Sequence, residues 1–111
     1  MKVTTKQFKR CDLVTATGRI DSNTAPQLAK AFDEISAANR FKIVFDMGGV
    51  DFISSAGLRV LINTQKNCKR WNRGELRLAS VPQRIYEAMD LAGLLPLFKL
   101  FDDATEAVGS F

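Results

Sequence analysis

Histidine is absent from the 111 residues of this chain, and its absence narrows the chemistry available to the protein. Histidine is the most common general base, the usual side chain that titrates near neutral pH and a frequent zinc ligand. A serine nucleophile would have to use a lysine or a carboxylate as its base, and carboxylates activate serine weakly. The sequence therefore disfavours catalysis by a serine nucleophile, and we expect that the protein is not an enzyme.

Cysteine and long apolar runs are also scarce. Cys11 and Cys68 are the only two cysteines, and they do not form a CxxC pair. A distant pair in a chain without a secretory signal predicts free thiols in a reducing compartment and no transition-metal site. No apolar run follows Lys2, and no segment approaches the ~18 consecutive apolar residues of a membrane span. We expect a soluble cytoplasmic protein without a membrane span.

The composition is that of a globular protein, with 46% hydrophobic and 25% charged residues. A chain of this length fits one domain, here residues 1–111, since domains cluster near ~100–150 residues. Apolar periodicity, prolines and glycines predict strands at 2–10, 12–20, 41–47, 74–81 and 97–101, and helices at 25–38, 55–71, 82–93 and 102–111. The strand at 41–47 precedes Gly48 and Gly49. The order ββαβαβαβα predicts an α/β fold, a mixed β-sheet with helices packed against it.

Positive charge is unevenly distributed in a chain of net charge +4. Between Arg59 and Arg84 there are seven basic residues and one acid, Glu75. Such a patch raises the possibility of nucleic-acid binding, but only Trp71 is interleaved as a stacking aromatic and no nucleic-acid motif is present. The pattern favours a solvated helix face, with a protein-docking face as the next interpretation and no direct nucleic-acid contact.

The stretch "DFISSAGLR", residues 51–59, places Ser54 and Ser55 at the start of a predicted helix. It is neither a G-x-S-x-G nucleophile motif nor a phosphate-binding loop. One serine can cap the helix, which contributes about 1 kcal/mol. The other interpretation is a switch, because a phosphate at a helix start adds ~1.5–2 negative charges that the helix dipole tolerates. Arg59 lies one turn after Ser55, and a mainly basic stripe continues through Asn63, Lys66, Arg70 and Arg73.

Three segments, "VFDMGGVDFISSAGLRVL", "GRIDSNTAPQL" and "GELRLASVPQRIYEAMDLAGL", closely resemble the STAS domain of bacterial anti-sigma factor antagonists. The similarity covers about Val3 to Val108, and the S-S-A-G-L stretch is its most specific part. The resemblance implies a small α/β domain that switches partners. The unphosphorylated form binds an anti-sigma factor, commonly a serine kinase with its own ATP site. Phosphorylation ends the binding, and a serine phosphatase restores the active form.

By position, the resemblance makes Ser55 the phosphoacceptor. Ser54 departs from the family pattern, since many members carry aspartate there, and this departure leaves Ser54 as the second choice. It places Asp21 in a loop that lies near the acceptor and faces the partner, together with Asn23 and Thr24. The predicted partner-binding residues are Asp21, Asn23, Thr24, Ser54, Ser55, Ala56, Gly57, Arg59, Asn63 and Lys66.

The resemblance predicts no cofactor on this chain, with ATP expected on the partner kinase. STAS domains also occur in proteins that are never phosphorylated, including transporter tails. The alternative is therefore a constitutive accessory or scaffold subunit of a transport or signalling complex. The oligomeric state stays open between a monomer and a weak dimer.

Overall fold

The computed structural model describes the chain from Met1 to Phe111 as one five-stranded sheet with helices against it. The strands are β1 (Lys2–Gln7), β2 (Asp12–Ile20), β3 (Lys42–Ile53), β4 (Glu75–Ala79) and β5 (Leu100–Phe101). The helices are α1 (Ala25–Ala37), α2 (Ser55–Lys69), α3 (Gln83–Leu91) and α4 (Ala104–Gly109), with 3₁₀ turns at Arg70–Asn72 and Leu95–Leu97. Strand order follows the chain, with β1 antiparallel to β2 and all later pairs parallel. The predicted mixed α/β fold and its order ββαβαβαβα are confirmed.

The core lies mainly between the sheet and helices α1 and α2. On α1, Leu28, Phe32 and Ile35 are buried, as their helical spacing predicts, and the Phe32 ring meets Phe45 edge-on at 5.5 Å between centroids. Val44 on β3 points to the opposite side, into a smaller cluster that includes residues of α4. Side chains alternate between the faces of a strand, so β3 is a central strand covered on both sides.

Strand β3 is longer than the sequence predicts, because it continues past Gly48 and Gly49 to Ile53. These glycines do not end the strand. A Cβ on Gly49 would lie 2.7 Å from Cγ2 of Thr17, so glycine is required where β2 and β3 approach closely. The β2–β3 register shifts between Thr15 and Thr17 and again between Gly18 and Arg19. The extension carries the chain directly to the start of α2.

Helix α2 ends at Lys69, two residues before the predicted end, in a turn where Trp71 and Asn72 both have φ of 59°. Its buried side includes a polar residue, Gln65, which the apolar pattern does not identify. The Gln65 amide accepts the Leu76 N–H at 2.6 Å and donates to the Leu76 and Leu97 carbonyls at 3.1 and 2.7 Å. Gln65 thus bonds α2 to the edge of β4.

The basic residues between Arg59 and Arg84 do not form one face, and of the predicted stripe only Arg73 does not continue along the helix. Arg73 follows the helix and folds back so that its guanidinium lies 3.6 Å from the Phe41 ring centroid. Arg77 lies in β4, pairs with Glu75 at 3.1 Å and donates to the Ser110 carbonyl at 2.7 Å. The stripe consists only of residues on α2 itself and Arg70. None of the helices combines the length and apolar character needed to cross a membrane.

Candidate functional site

The predicted site forms at the carboxyl ends of β2 and β3, where two distant segments meet. Ile20 pairs with Ile53 in the last register position of these parallel strands. The N–H of Ser54 donates to the Ile20 carbonyl at 2.8 Å, which joins the start of α2 to the end of β2. The loop that begins at Asp21 therefore lies beside the two serines.

The two serines have different positions at the helix start. Ser54 has extended backbone, with φ −86° and ψ 173°, and its hydroxyl accepts a hydrogen bond from the Gly57 N–H at 3.3 Å. The prediction that one serine caps the helix is confirmed, and the cap is Ser54. Ser55 is the first helical residue and is exposed. Its hydroxyl is accordingly the one available to another molecule.

Gly57 allows the helix to approach the strands. It is buried, and a Cβ there would lie 2.6 Å from Cγ1 of Ile53 and 2.7 Å from Cγ2 of Ile20. Real Cβ contacts of that length are essentially never observed, so any larger residue forces the helix or the isoleucines to move. Ala56 is half-buried and packs against the core. The structure gives both residues a packing role, and their contact with a partner stays a prediction.

The loop from Asp21 to Thr24 presents one fixed negative charge. The Asp21 carboxylate accepts the Asn23 and Thr24 N–H groups at 2.9 and 3.1 Å and pairs with Arg19 at 3.3 Å. The hydrogen bond from the Asn23 backbone, followed by those from Thr24 and Arg19, lowers the pKa of Asp21 below its ordinary 3.8. The Thr24 hydroxyl donates to the Arg19 carbonyl at 2.8 Å, which holds the turn. Asn23 is exposed.

An exposed cation–aromatic pair, which the sequence pattern does not predict, extends this surface. The Arg19 guanidinium lies 4.0 Å from the ring centroid of Phe52, its cross-strand partner. Phe52 remains 37% exposed. Its neighbour Ile53 is buried, and side chains alternate between the two faces of a strand. A strand that continues past Gly48 and Gly49 therefore predicts that Phe52 points outward.

The exposed face of α2 continues from Ser55 along the helix. Arg59, Asn63 and Lys66 are all exposed, as their spacing predicts. With a rise of about 1.5 Å per residue, Arg59 lies about 6 Å and Lys66 about 16 Å along the axis from Ser55. The first cation of this face therefore follows Ser55 by one helical turn, and the loop that begins at Asp21 lies beside the helix start. Such a mixed polar surface around an exposed hydroxyl can recognise a protein and can accept a phosphoryl group.

Comparisons with known proteins agree over nearly the whole chain. Residues 2–107 match the family model described as the STAS domain. BtrV of Bordetella bronchiseptica is 30% identical over 112 residues, and the match covers 100% of this chain and 95% of BtrV. BtrV is named for a proposed role as an anti-sigma factor antagonist. The anti-sigma-F factor antagonist RsfB of Mycobacterium tuberculosis is 30% identical over 107 residues, covering 96% of this chain and 88% of its own.

Among solved structures, the anti-sigma factor antagonist SpoIIAA of Bacillus has the same fold as this chain in both its unphosphorylated and its phosphorylated form. Its unphosphorylated form has a TM-score of 0.83 at 14% identity, covering 98% of this chain and 95% of its own. Its phosphorylated form has a TM-score of 0.78 at 13% identity, covering 98% of both chains. At this identity the similarity shows the fold.

Proposed function

The chain belongs to the STAS domain family, and from that membership we propose that it is an anti-sigma factor antagonist controlled by phosphorylation of Ser55. Two relatives at 30% identity, which match nearly the whole chain, carry names of this function. Proteins of this class act by binding, so the chain is a regulator and not an enzyme. Its partner is an anti-sigma factor.

The observation that carries the proposal is the division of roles between the two serines. Ser54 supplies the helix cap, whereas Ser55 is exposed at the first helical position. A phosphate on Ser55 therefore displaces no packed group and leaves the capping bond intact. It also lies where the positive end of the helix dipole stabilises an anion. The fold survives the modification.

Phosphorylation of Ser55 ends the contact with the partner. In the binding form, the partner covers the neutral Ser55 hydroxyl together with the Asp21 loop and the exposed face that begins at Arg59. Phosphorylation adds ~1.5–2 negative charges at the centre of that contact. A charge buried without a partner group costs several kcal/mol, and it adds repulsion to the carboxylate of Asp21. Release follows from desolvation and repulsion without a change of fold.

The same proposal specifies the other components. The anti-sigma factor is a serine kinase that brings its own ATP, and this chain holds no cofactor. A separate serine phosphatase returns Ser55 to the binding form. Because the partners act on transcription, we place the chain in the cytoplasm.

The experiment compares partner binding of the wild type with that of Ser55→Ala, Ser55→Asp and a matched control, Thr105→Asp. Thr105 is exposed in the first turn of α4, so the control places the same charge at another helix start. Lysate from the source organism is passed over each immobilised protein, bound kinase-type anti-sigma factor is identified by mass, and its affinity is then measured with purified protein. Ser55→Ala and Thr105→Asp should bind like the wild type, and Ser55→Asp about a hundredfold more weakly.

Arg59→Glu should weaken the same complex, since Arg59 flanks the acceptor by one helical turn. Unfolding midpoints of all variants in urea show whether a loss of binding reflects a loss of fold. Equal affinity of Ser55→Asp and Thr105→Asp would contradict the phospho-switch. In that case a constitutive STAS subunit, which keeps the same partners in both variants, becomes the better description.

A further inference from the structure

A pocket lies at the opposite end of β3 from Ser55, at the amino ends of the parallel strands. It is open, has a volume of about 190 Å³, and is formed by three segments that are distant in sequence. These are the turn before β2, the loop between α1 and β3, and the loop that follows α2. The pocket is lined by Arg10, Cys11, Asp12, Asn39, Arg40, Phe41, Lys42 and Arg73.

Positive charge dominates this pocket. Four of the lining residues are cations, Arg10, Arg40, Lys42 and Arg73, and Asp12 is the one acid. Asp12 is paired with Arg40, and none of the salt bridges of the chain involves the other three cations. The lining therefore has a formal charge of four minus one, or +3. Like charges converging on one pocket repel one another, and an anion would relieve that repulsion.

Two of the three arginines that line the pocket, Arg40 and Arg73, are held in place by contacts within the protein. Arg40 bonds to Asp12 and donates to the carbonyls of Phe8 and Cys11 at 2.6 and 3.3 Å. These contacts fix the guanidinium against the β1–β2 turn. Arg40 therefore loses little further side-chain entropy when a ligand binds.

Arg73 is held by a different set of contacts. It lies over the Phe41 ring and donates to the Asn67 and Arg70 carbonyls at 2.6 and 3.1 Å. The following residue, Gly74, makes this position possible, since a Cβ there would lie 2.3 Å from the Phe41 carbonyl oxygen. Glycine lets the loop after α2 contact the strand next to Arg40 and Lys42.

We propose that this pocket binds the phosphate group of a small phosphate monoester. In Arg40 and Arg73 the Nε and Nη2 groups already donate hydrogen bonds within the protein, so each arginine offers its Nη1 group to the oxygens of a phosphate. A net charge of +3 suits a dianion better than a single carboxylate. Pockets for drug-sized ligands usually have volumes of about 300–1,000 Å³, so this one fits a phosphate with a short organic remainder. The site is independent of Ser55 and of the partner-switching proposal.

The test is a titration of the full chain, followed through its backbone amide NMR signals, with inorganic phosphate and separately with glycerol phosphate. Sodium chloride at the same ionic strength is the control for screening. Saturable shifts should be confined to residues 10–12, 39–42 and 72–74 and appear with both phosphates but not with chloride. Trp71, the single tryptophan and 83% exposed, lies two residues from Arg73 and supplies a fluorescence signal for the same titration.

Two matched variants identify the charge responsible. Lys42 is an exposed pocket residue, and Lys2 is an exposed lysine on β1 that pairs with Thr17 near the other end of the sheet. Lys42→Gln should weaken phosphate binding about tenfold, the loss expected for one charge-assisted hydrogen bond, and Lys2→Gln less than twofold. Equal weakening by both variants, or equal shifts with chloride, would overturn the site. Binding of inorganic phosphate without glycerol phosphate would overturn the assignment to a monoester.

Discussion

Replacing Gly57 by alanine tests whether close packing at the helix start positions the candidate site. The added Cβ would lie 2.6 Å from Cγ1 of Ile53 and 2.7 Å from Cγ2 of Ile20. Both atoms are attached directly to the Cβ of a β-branched residue, so they cannot rotate away as the end of a long side chain can. Relief requires the start of α2 to move away from the ends of β2 and β3.

The magnitude follows from two opposing contributions. Overpacking of a well-packed core costs about 1–3 kcal/mol, and two contacts this short belong in the upper half of that range. Alanine recovers up to about 1 kcal/mol because glycine is the poorer helix former. The free energy of unfolding should therefore fall by about 1–2 kcal/mol. For a chain of this length, that corresponds to a loss of about 4–8 °C in Tm.

The assay is urea unfolding followed by circular dichroism, together with the affinity for the anti-sigma factor. Gly109→Ala is the matched control, because Gly109 is the last residue of helix α4 and a Cβ there meets nothing within 4 Å. The control should be as stable as the wild type or slightly more stable. Gly57→Ala should bind the partner more weakly, because the residues on either side of the site move apart.

The reasoning would be refuted if Gly57→Ala matched Gly109→Ala in both stability and partner affinity. Such a result would mean that the helix start adjusts freely and that close contact with Ile20 and Ile53 does not position Ser55. A loss of stability without any loss of affinity would limit the role of Gly57 to folding.

Two further predictions concern the contacts that hold the site and its helix. Gln65→Met should lower the free energy of unfolding by about 2–4 kcal/mol, because it leaves the buried N–H and carbonyl of Leu76 unpaired at nearly constant volume, and urea unfolding measures this loss. The pKa of Asp21 in the folded protein lies below its ordinary value of 3.8. The ionised carboxylate therefore stabilises the fold at pH values above 3.8, and this stabilisation is lost as the pH falls through the pKa of the folded state. The urea midpoints of wild type and Asp21→Asn should differ above about pH 5 and converge as the pH falls below the ordinary 3.8; a difference that persisted at low pH would contradict this assignment.

Local signals account for the parts of the fold that the sequence predicts correctly. The spacing of Leu28, Phe32 and Ile35 predicts a helix with one buried face, and all three are buried. Two small polar residues before an apolar helical pattern predict a cap, and Ser54 provides it. These features depend on residues within one or two turns of each other, so the printed order of residues is enough to identify them.

Features that depend on a distant segment cannot be predicted from the local sequence. Gly48 and Gly49 suggest a strand end, but a strand can continue through glycine when a neighbour such as Thr17 approaches closely. The local pattern does not identify Gln65 as buried, because its backbone partners, such as Leu76, lie beyond the end of its helix. In both cases, a tertiary contact determines what the local residue type means.

For this protein, the sequence alone determined the order of strands and helices, the lack of histidine chemistry and the serine pair at a helix start. Resemblance of the motifs added the family, and it makes Ser55 the proposed acceptor. Tertiary structure decided which serine is bound into the cap and which is exposed, and it placed the Asp21 loop beside them through the pairing of Ile20 with Ile53. It also gathered Arg40 and Arg73 into one pocket. The physical reason is that periodicity and capping act over a few residues, whereas burial, close approach and charge convergence depend on segments that only folding brings together.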